Sequence, residues 1–350
     1  MDYVLLKHLC EAPGIAGYED RVLDIAAAAL RPFVDELSSD ALGNVIGIKK
    51  GAGGPRVMIA AHADEIGFLV KFIDDRGFLR IQPVGGWDPR NLMSQRVLVH
   101  GRDGSAHRGA LQIGAKPIHL LDPSEIKNPK IDEFFIDLGL PAETVKATVE
   151  IGDMVNMDRT FEENGHTVIS KSLDDRVSVF ILIEALRALG PTNAEVVAVV
   201  STQEEVGLRG ARTAAFHIEP DVAIGLDVTL AVDIPGAPVE SAVTRLGEGT
   251  AIKIFDSSMM SHPKVVRKLR DLAEKHGIKH QLEILPAGGT DGGAMQLARG
   301  GAPAATISIP TRYIHTPNEM CAKADIEATI ELLVKFIEDA GSTDFRYRLA

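Results

Sequence analysis

The chain has 350 residues, with 37 Lys and Arg against 49 Asp and Glu, a formal net charge of −12 at pH 7. Nucleic-acid binders draw most of their affinity from Lys and Arg neutralising phosphates, so an acidic chain with no basic block excludes that class. A composition 45% hydrophobic and 25% charged is that of an ordinary globular protein, and the length implies about two domains.

Tyr3, Leu5, Leu6 and Leu9 recur at helical spacing before Pro13-Gly14, and Val22, Ile25, Ala26 and Leu30 predict a second helix. The β-rich runs Asn44 to Lys49 and Arg56 to Ala61 are joined by Gly51-Ala52-Gly53-Gly54-Pro55. No helix follows these glycines and the phosphate-loop spacing is missing, so they predict a hairpin turn. From residue 67 to 161 short strands alternate with turns such as Asp74-Asp75-Arg76-Gly77 and Arg102-Asp103-Gly104. That texture predicts a small β-barrel or sandwich inserted into the larger domain, which would comprise residues 1–66 and 162–350. After Gly165 the pattern turns to α/β: a helix from Asp174 to Leu189, buried-strand runs Glu195 to Thr202 and Asp221 to Val228, and a charged helix from Pro263 to His276. A strand near Gln281 to Leu285, a helix from Asp291, a strand at Ala304 to Ile309 and a closing helix from Asp325 to Asp339 complete the chain. Alternating strands and helices predict a mixed, mostly parallel sheet covered by helices.

Cys10 and Cys321 are the only cysteines, too few and too far apart for a disulfide framework or a thiolate zinc site, which fits a reducing compartment. The stretch Met1–His8 lacks the basic start and long apolar run of a signal peptide, and charges interrupt every later hydrophobic run. The expectation is a cytoplasmic protein with no membrane partner.

Among eleven histidines, two stand at strand ends. His62 closes the apolar run Met58-Ile59-Ala60-Ala61, at the edge where open α/β sheets place ligand sites. Asp64, two residues on, can accept from the imidazole and fix its tautomer. His315 follows the strand at Ala304 to Ile309 in a proline-bounded loop. Acids occupy three further ends. Asp174-Asp175 opens a helix, where capping and dipole compensation would also explain it. Glu204-Glu205 follows Val199 to Gln203, and Asp227 ends Val222 to Leu226. Together His62, Asp174, Glu205, Asp227 and His315 could hold two divalent ions if Asp174 bridges them. Zinc or cobalt suits this nitrogen and oxygen set better than magnesium. Two such ions about 3.5–4 Å apart can hold a hydroxide and polarise a carbonyl. Glu204, next to a ligand but differently directed, could serve as general base.

At these residues the sequence resembles the tetrahedral (TET-type) metalloaminopeptidases, which include deblocking and glutamyl aminopeptidases. The motifs are Ala61-His62-Ala63-Asp64-Glu65-Ile66-Gly67, Leu173-Asp174-Asp175-Arg176, Gln203-Glu204-Glu205-Val206-Gly207, Gly225-Leu226-Asp227-Val228, Gly289-Thr290-Asp291-Gly292-Gly293-Ala294 and Pro310-Thr311-Arg312-Tyr313-Ile314-His315-Thr316. The resemblance implies a co-catalytic metal pair with His62 and Asp227 on one ion, Glu205 and His315 on the other, and Asp174 shared. Asp174 rather than Asp175 takes the bridging place by this likeness alone. It further implies Glu204 as general base, Asp64 steadying His62, peptide substrates, and homo-oligomers in which the inserted β domain mediates contacts within a twelve-subunit tetrahedral shell. A metal-dependent deacylase or carboxypeptidase would use nearly the same ligands. A glycoside hydrolase would leave the histidines without a task. A metal-binding assembly scaffold is the non-enzymatic alternative.

Overall fold

The computed structural model describes residues 1–347 apart from 115, 117, 121 and 123–127. The chain opens with helices α1 (Val4–Glu11) and α2 (Asp20–Leu30) and strands β1 (Glu36–Ser39), β2 (Val45–Lys49) and β3 (Arg56–His62). Six strands then follow: β4 (Gly67–Ile73), β5 (Leu79–Val84), β6 (Gln95–His100), β7 (Ala106–Ile113), β8 (Phe134–Asp137) and, after helix α3 (Ala142–Thr148), β9 (Met154–Met157). The next segment carries β10 (Glu162–Asn164), β11 (Thr167–Ser170), α4 (Leu173–Ala188), β12 (Glu195–Ser201), α5 (Arg209–Ile218) and β13 (Val222–Leu230). The last comprises β14 (Thr250–Phe255), α6 (Pro263–His276), β15 (His280–Ile284), α7 (Asp291–Gln296), β16 (Ala304–Arg312), β17 (Glu319–Ala322) and α8 (Lys323–Asp339).

The main sheet runs β1-β2-β12-β3-β13-β16-β17-β11-β10, with β14 joining β16 and β15 joining β14. Its parallel pairing is concentrated in the middle, where β12, β3, β13 and β16 lie side by side. The margins β1-β2, β16-β17 and β11-β10 are antiparallel. Alternation along the central strands feeds two cores. Val57, Ile59 and Ala61 of β3 face α1, α2, α4 and α8, whereas Met58 and Ala60 face α5 and α7. Both faces are covered, which is why these strands read as unbroken apolar runs.

The predicted hairpin through Gly51 to Pro55 does not form. β12 lies between β2 and β3, pairing antiparallel with one and parallel with the other. Gly51 and Gly54 instead pass against the main chain of Asn193 and Ala194, too close to admit a Cβ. The hairpin in this region is β1-β2. Strands β4-β5-β8-β7-β6-β9 close into a small barrel filled by Phe68, Val70, Leu79, Val97, Leu111, Phe134 and Val155. In chain order it interrupts the main sheet between β3 and β10. Among the described residues no helix is long and apolar enough to cross a membrane.

Candidate active site

The C-terminal ends of the central parallel strands bring the dispersed residues together. Ser201 lies opposite His62 in the β12–β3 register, and Gly225 opposite Ala60 in β13–β3, so Asp227 stands two residues beyond that last pair as His62 does. Their side chains share the parity of Met58 and Ala60 and leave the sheet on the α5–α7 side.

His62 is 1% exposed. Its Nδ1 lies 3.0 Å from the main-chain carbonyl of Asp64. A carbonyl only accepts, so Nδ1 donates to it and Nε2 is the nitrogen turned toward the acids of the cleft. That Nε2 has no hydrogen-bond partner, although Asp174 Oδ1 lies 3.2 Å and Glu204 Oε2 3.9 Å away. The Asp174 carboxylate spans the two imidazoles, because its Oδ2 is 3.4 Å from His315 Nε2. Glu205 Oε1 is also 3.4 Å from that nitrogen. One possible metal-holding group comprises His62, Asp174 and Glu205; a second comprises His62, Asp175 and Asp227.

Helix α4 supplies both aspartates, but not as ordinary capping residues. Asp174 and Asp175 have non-helical backbone angles, the peptide between them is cis, and no side-chain cap is made at Ser172. Asp175 Oδ2 accepts the main-chain N–H of His62 at 3.1 Å, leaving Oδ1 unpartnered. Arg176, fully buried, donates to the carbonyls of Leu9, Ala12 and Gly14, fastening the end of α1 to the start of α4. Lys171 Nζ grips both oxygens of Glu65 at 2.8 Å beside it.

Two buried carboxylates hold the ligand-bearing segments by their main chains. Asp64 accepts the amides of Glu204 and Glu205, each at 3.0 Å, and its own Oδ1 is 3.4 Å from His62 Nδ1. Glu319 of β17 accepts the amides of Asp174 and His315, each at 2.9 Å. His315 has a φ of +62°, and this bond helps secure that conformation. The Glu319 contact is absent from the sequence reading, as is the approach of the barrel. Gly85 follows β5 with a φ of +79°; a Cβ there would strike Ile66 and stand 3.0 Å from Glu205 Oε2. Next to it, Gly86 lies against the His315 ring.

The electrostatics show a surplus of buried acid. Burial, then the neighbouring negative charges, raise Glu204, Asp227 and Asp175 well above the usual carboxylate range. Burial also raises Glu205 and pushes Asp291 up to about 6. Asp174 is the exception: burial would raise it, but His315 and His62 outweigh that and hold it low. Burial likewise opposes a charged His315, yet Asp174 and Glu205 hold its imidazole up to about 12. A cavity in which carboxylates outnumber imidazoles, with bare Nε2 and Oδ1 atoms pointing inward, fits bound cations by its donor chemistry. Asp291 heads α7, and Ser201 Oγ donates to its Oδ2. Arg312 makes a bidentate pair with Asp233 at 2.7 Å, so its charge is engaged in holding the loop after β13.

Residues 43–332 match the M42 glutamyl aminopeptidase family. The chain belongs to that family. It is an enzyme of the peptidase class. It is 35% identical to the lysyl aminopeptidase of Pyrococcus furiosus, covering 99% of each chain. The solved structure of aminopeptidase APDkam598 from the archaeon Desulfurococcus kamchatkensis is 41% identical, covers 98% of this chain and 96% of its own, and superposes with a TM-score of 0.93. The Pyrococcus horikoshii TET1 peptidase, described as assembling into a tetrahedron or a large octahedral shell, is 32% identical with a TM-score of 0.85, covering 95% of this chain and 98% of its own. Divalent metals are thus a property of the family, and the cluster around His62 is where this chain has the side chains to hold them.

Proposed function

We propose that this chain removes N-terminal residues from peptides with a pair of divalent cations, zinc or cobalt suiting the donor set best. The observation that carries the reading is the Asp174 carboxylate, whose two oxygens lie 3.2 Å and 3.4 Å from the imidazole nitrogens of His62 and His315. Asp174 would be shared, with His62 and Asp227 serving one cation and Glu205 and His315 the other. Asp175 is directed at the main chain of His62, which favours Asp174 in the shared role. When bound, such a pair supplies Lewis acidity toward the scissile carbonyl and toward water.

Glu204 lies in the same cleft with its side chain 11% exposed. It would take a proton from the attacking water and pass it to the leaving amine. Asp64 would position it by clamping its amide, and also orient His62. Self-assembly into a closed shell is supported by the TET1 likeness, and the barrel would carry the contacts. The two free, buried cysteines favour a cytoplasmic setting. Glu204→Gln should abolish hydrolysis of a free-amine peptide while metal content, read by elemental analysis, stays at the wild-type level. A variant that still turns over overturns the assigned role. Equal cleavage of the N-acetylated peptide by the wild type excludes an aminopeptidase.

A further inference from the structure

The cleft that holds the acids has a volume of about 590 Å³ and continues past them. Beyond the six ionisable residues already described, its side-chain wall is Leu208, Val228, Thr229, Leu230, Leu285 and Ile314, completed by glycine and alanine. Among the described residues no Lys or Arg lines it, and no acid lines it outside the His62 cluster. A buried pair of opposite charges stands next to Thr229 and is mutually engaged. Thr229 Oγ1 donates to Glu283 Oε1 at 2.6 Å, and Lys253 Nζ meets the same oxygen at 2.5 Å. Lys253 and Glu283 are both fully buried, so neither end of that pair reaches the cleft. Arg312, on the strand leading to Ile314, is occupied by Asp233.

From this wall we infer that the chain selects an uncharged aliphatic N-terminal side chain, with Leu230, Leu285 and Ile314 as the residues that set the preference. The inference rests on the aminopeptidase reading, which places the substrate's first residue in this cleft. A glutamate side chain would leave water for the same apolar wall and meet no cationic side chain among the described residues. A lysine side chain would leave water for an apolar wall whose only acids belong to the cluster. A leucine side chain loses nothing on entering and gains apolar contact, each methylene being worth about 10-fold or more in discrimination.

The test offers the metal-loaded protein matched peptides beginning with leucine, lysine and glutamate, with an N-acetyl-leucine control. The expected outcome is kcat/KM for leucine at least about 10-fold above either charged residue. Lysine or glutamate cleaved as well as leucine overturns the preference alone. Failure to cleave any free-amine peptide, or equal cleavage of the acetylated one, overturns the parent reading instead. Calorimetric titration with free L-leucine, L-lysine and L-glutamate gives a readout independent of turnover, and equal affinities refute the inference. Leu230→Asp, at a position 39% exposed that tolerates a charge, should raise the lysine-to-leucine ratio of kcat/KM about 10-fold. An unchanged ratio in a folded variant removes Leu230 from the set. Leu285→Ala, which only shortens a wall residue, should shift preference toward bulkier phenylalanine, and no shift removes Leu285.

Discussion

Asp64 and Glu319 hold different parts of the cleft in the same manner, each accepting two main-chain amides from segments that carry the proposed ligands. Asp64 fixes Glu204 and Glu205 behind β12; Glu319 fixes Asp174 and His315 across α4 and the loop after β16. The two differ in what else they touch. Asp64 is within 3.4 Å of His62 and governs the proposed general base, whereas Glu319 governs only ligand-bearing main chain. A buried carboxyl group that accepts two amide hydrogens ties both segments down, because each N–H would otherwise be left buried without a partner.

That difference sets the order of the expected effects. Asp64→Ala frees the base and one ligand together, so kcat should fall by about 10²-fold or more even at saturating metal. A variant whose turnover recovers fully on adding metal would erase the distinction between the two clamps. Glu319→Ala should weaken metal affinity by about 10–100-fold, measured by competition with a chelator, while kcat at saturating metal stays closer to wild type. If kcat collapses at saturation as well, Glu319 does more than hold ligand-bearing segments. The smallest effect belongs to Gly85→Ala, which presses from the barrel on the Glu205 that Asp64 restrains. Strain at a positive φ should cost about 1–3 kcal/mol of stability, seen as a lowered Tm. If kcat/KM is unaffected in that variant, the hydrogen bond that the Glu205 amide donates to Asp64 is stiff enough to absorb the push.

Asp64 is legible because it sits two residues from His62 at the end of an apolar strand, within one short motif. Glu319 is not, since Asn318-Glu319-Met320-Cys321 has the texture of any short strand, and its partners lie 145 and 4 residues away in sequence. The same limit explains the mistaken hairpin: the glycines of 51–54 do mark a turn, but nothing local says that a strand from residue 195 onward will enter between its arms. Helix α5 is missing from the sequence reading because its buried face is mostly Gly210, Ala211, Ala214 and Ala215, with Ile218 the one large apolar side chain to mark the spacing. Long amphipathic helices such as α6, with Val265, Leu269, Leu272 and Ala273 buried on one side and Gly277 at its end, read directly from spacing. Asp174 and Asp175 are legible as acids at a helix start, but the sequence offers no sign that their backbone departs from the helix and sends one carboxylate between two imidazoles.

The glycine pair after β5 comes from the barrel and yet forms part of the rim around Glu205 and His315. Two units with separate hydrophobic interiors therefore share one reaction chamber. On the proposed reading, a substitution far inside the barrel that tilts β5 would alter which peptides enter without changing a single group assigned to the chemistry.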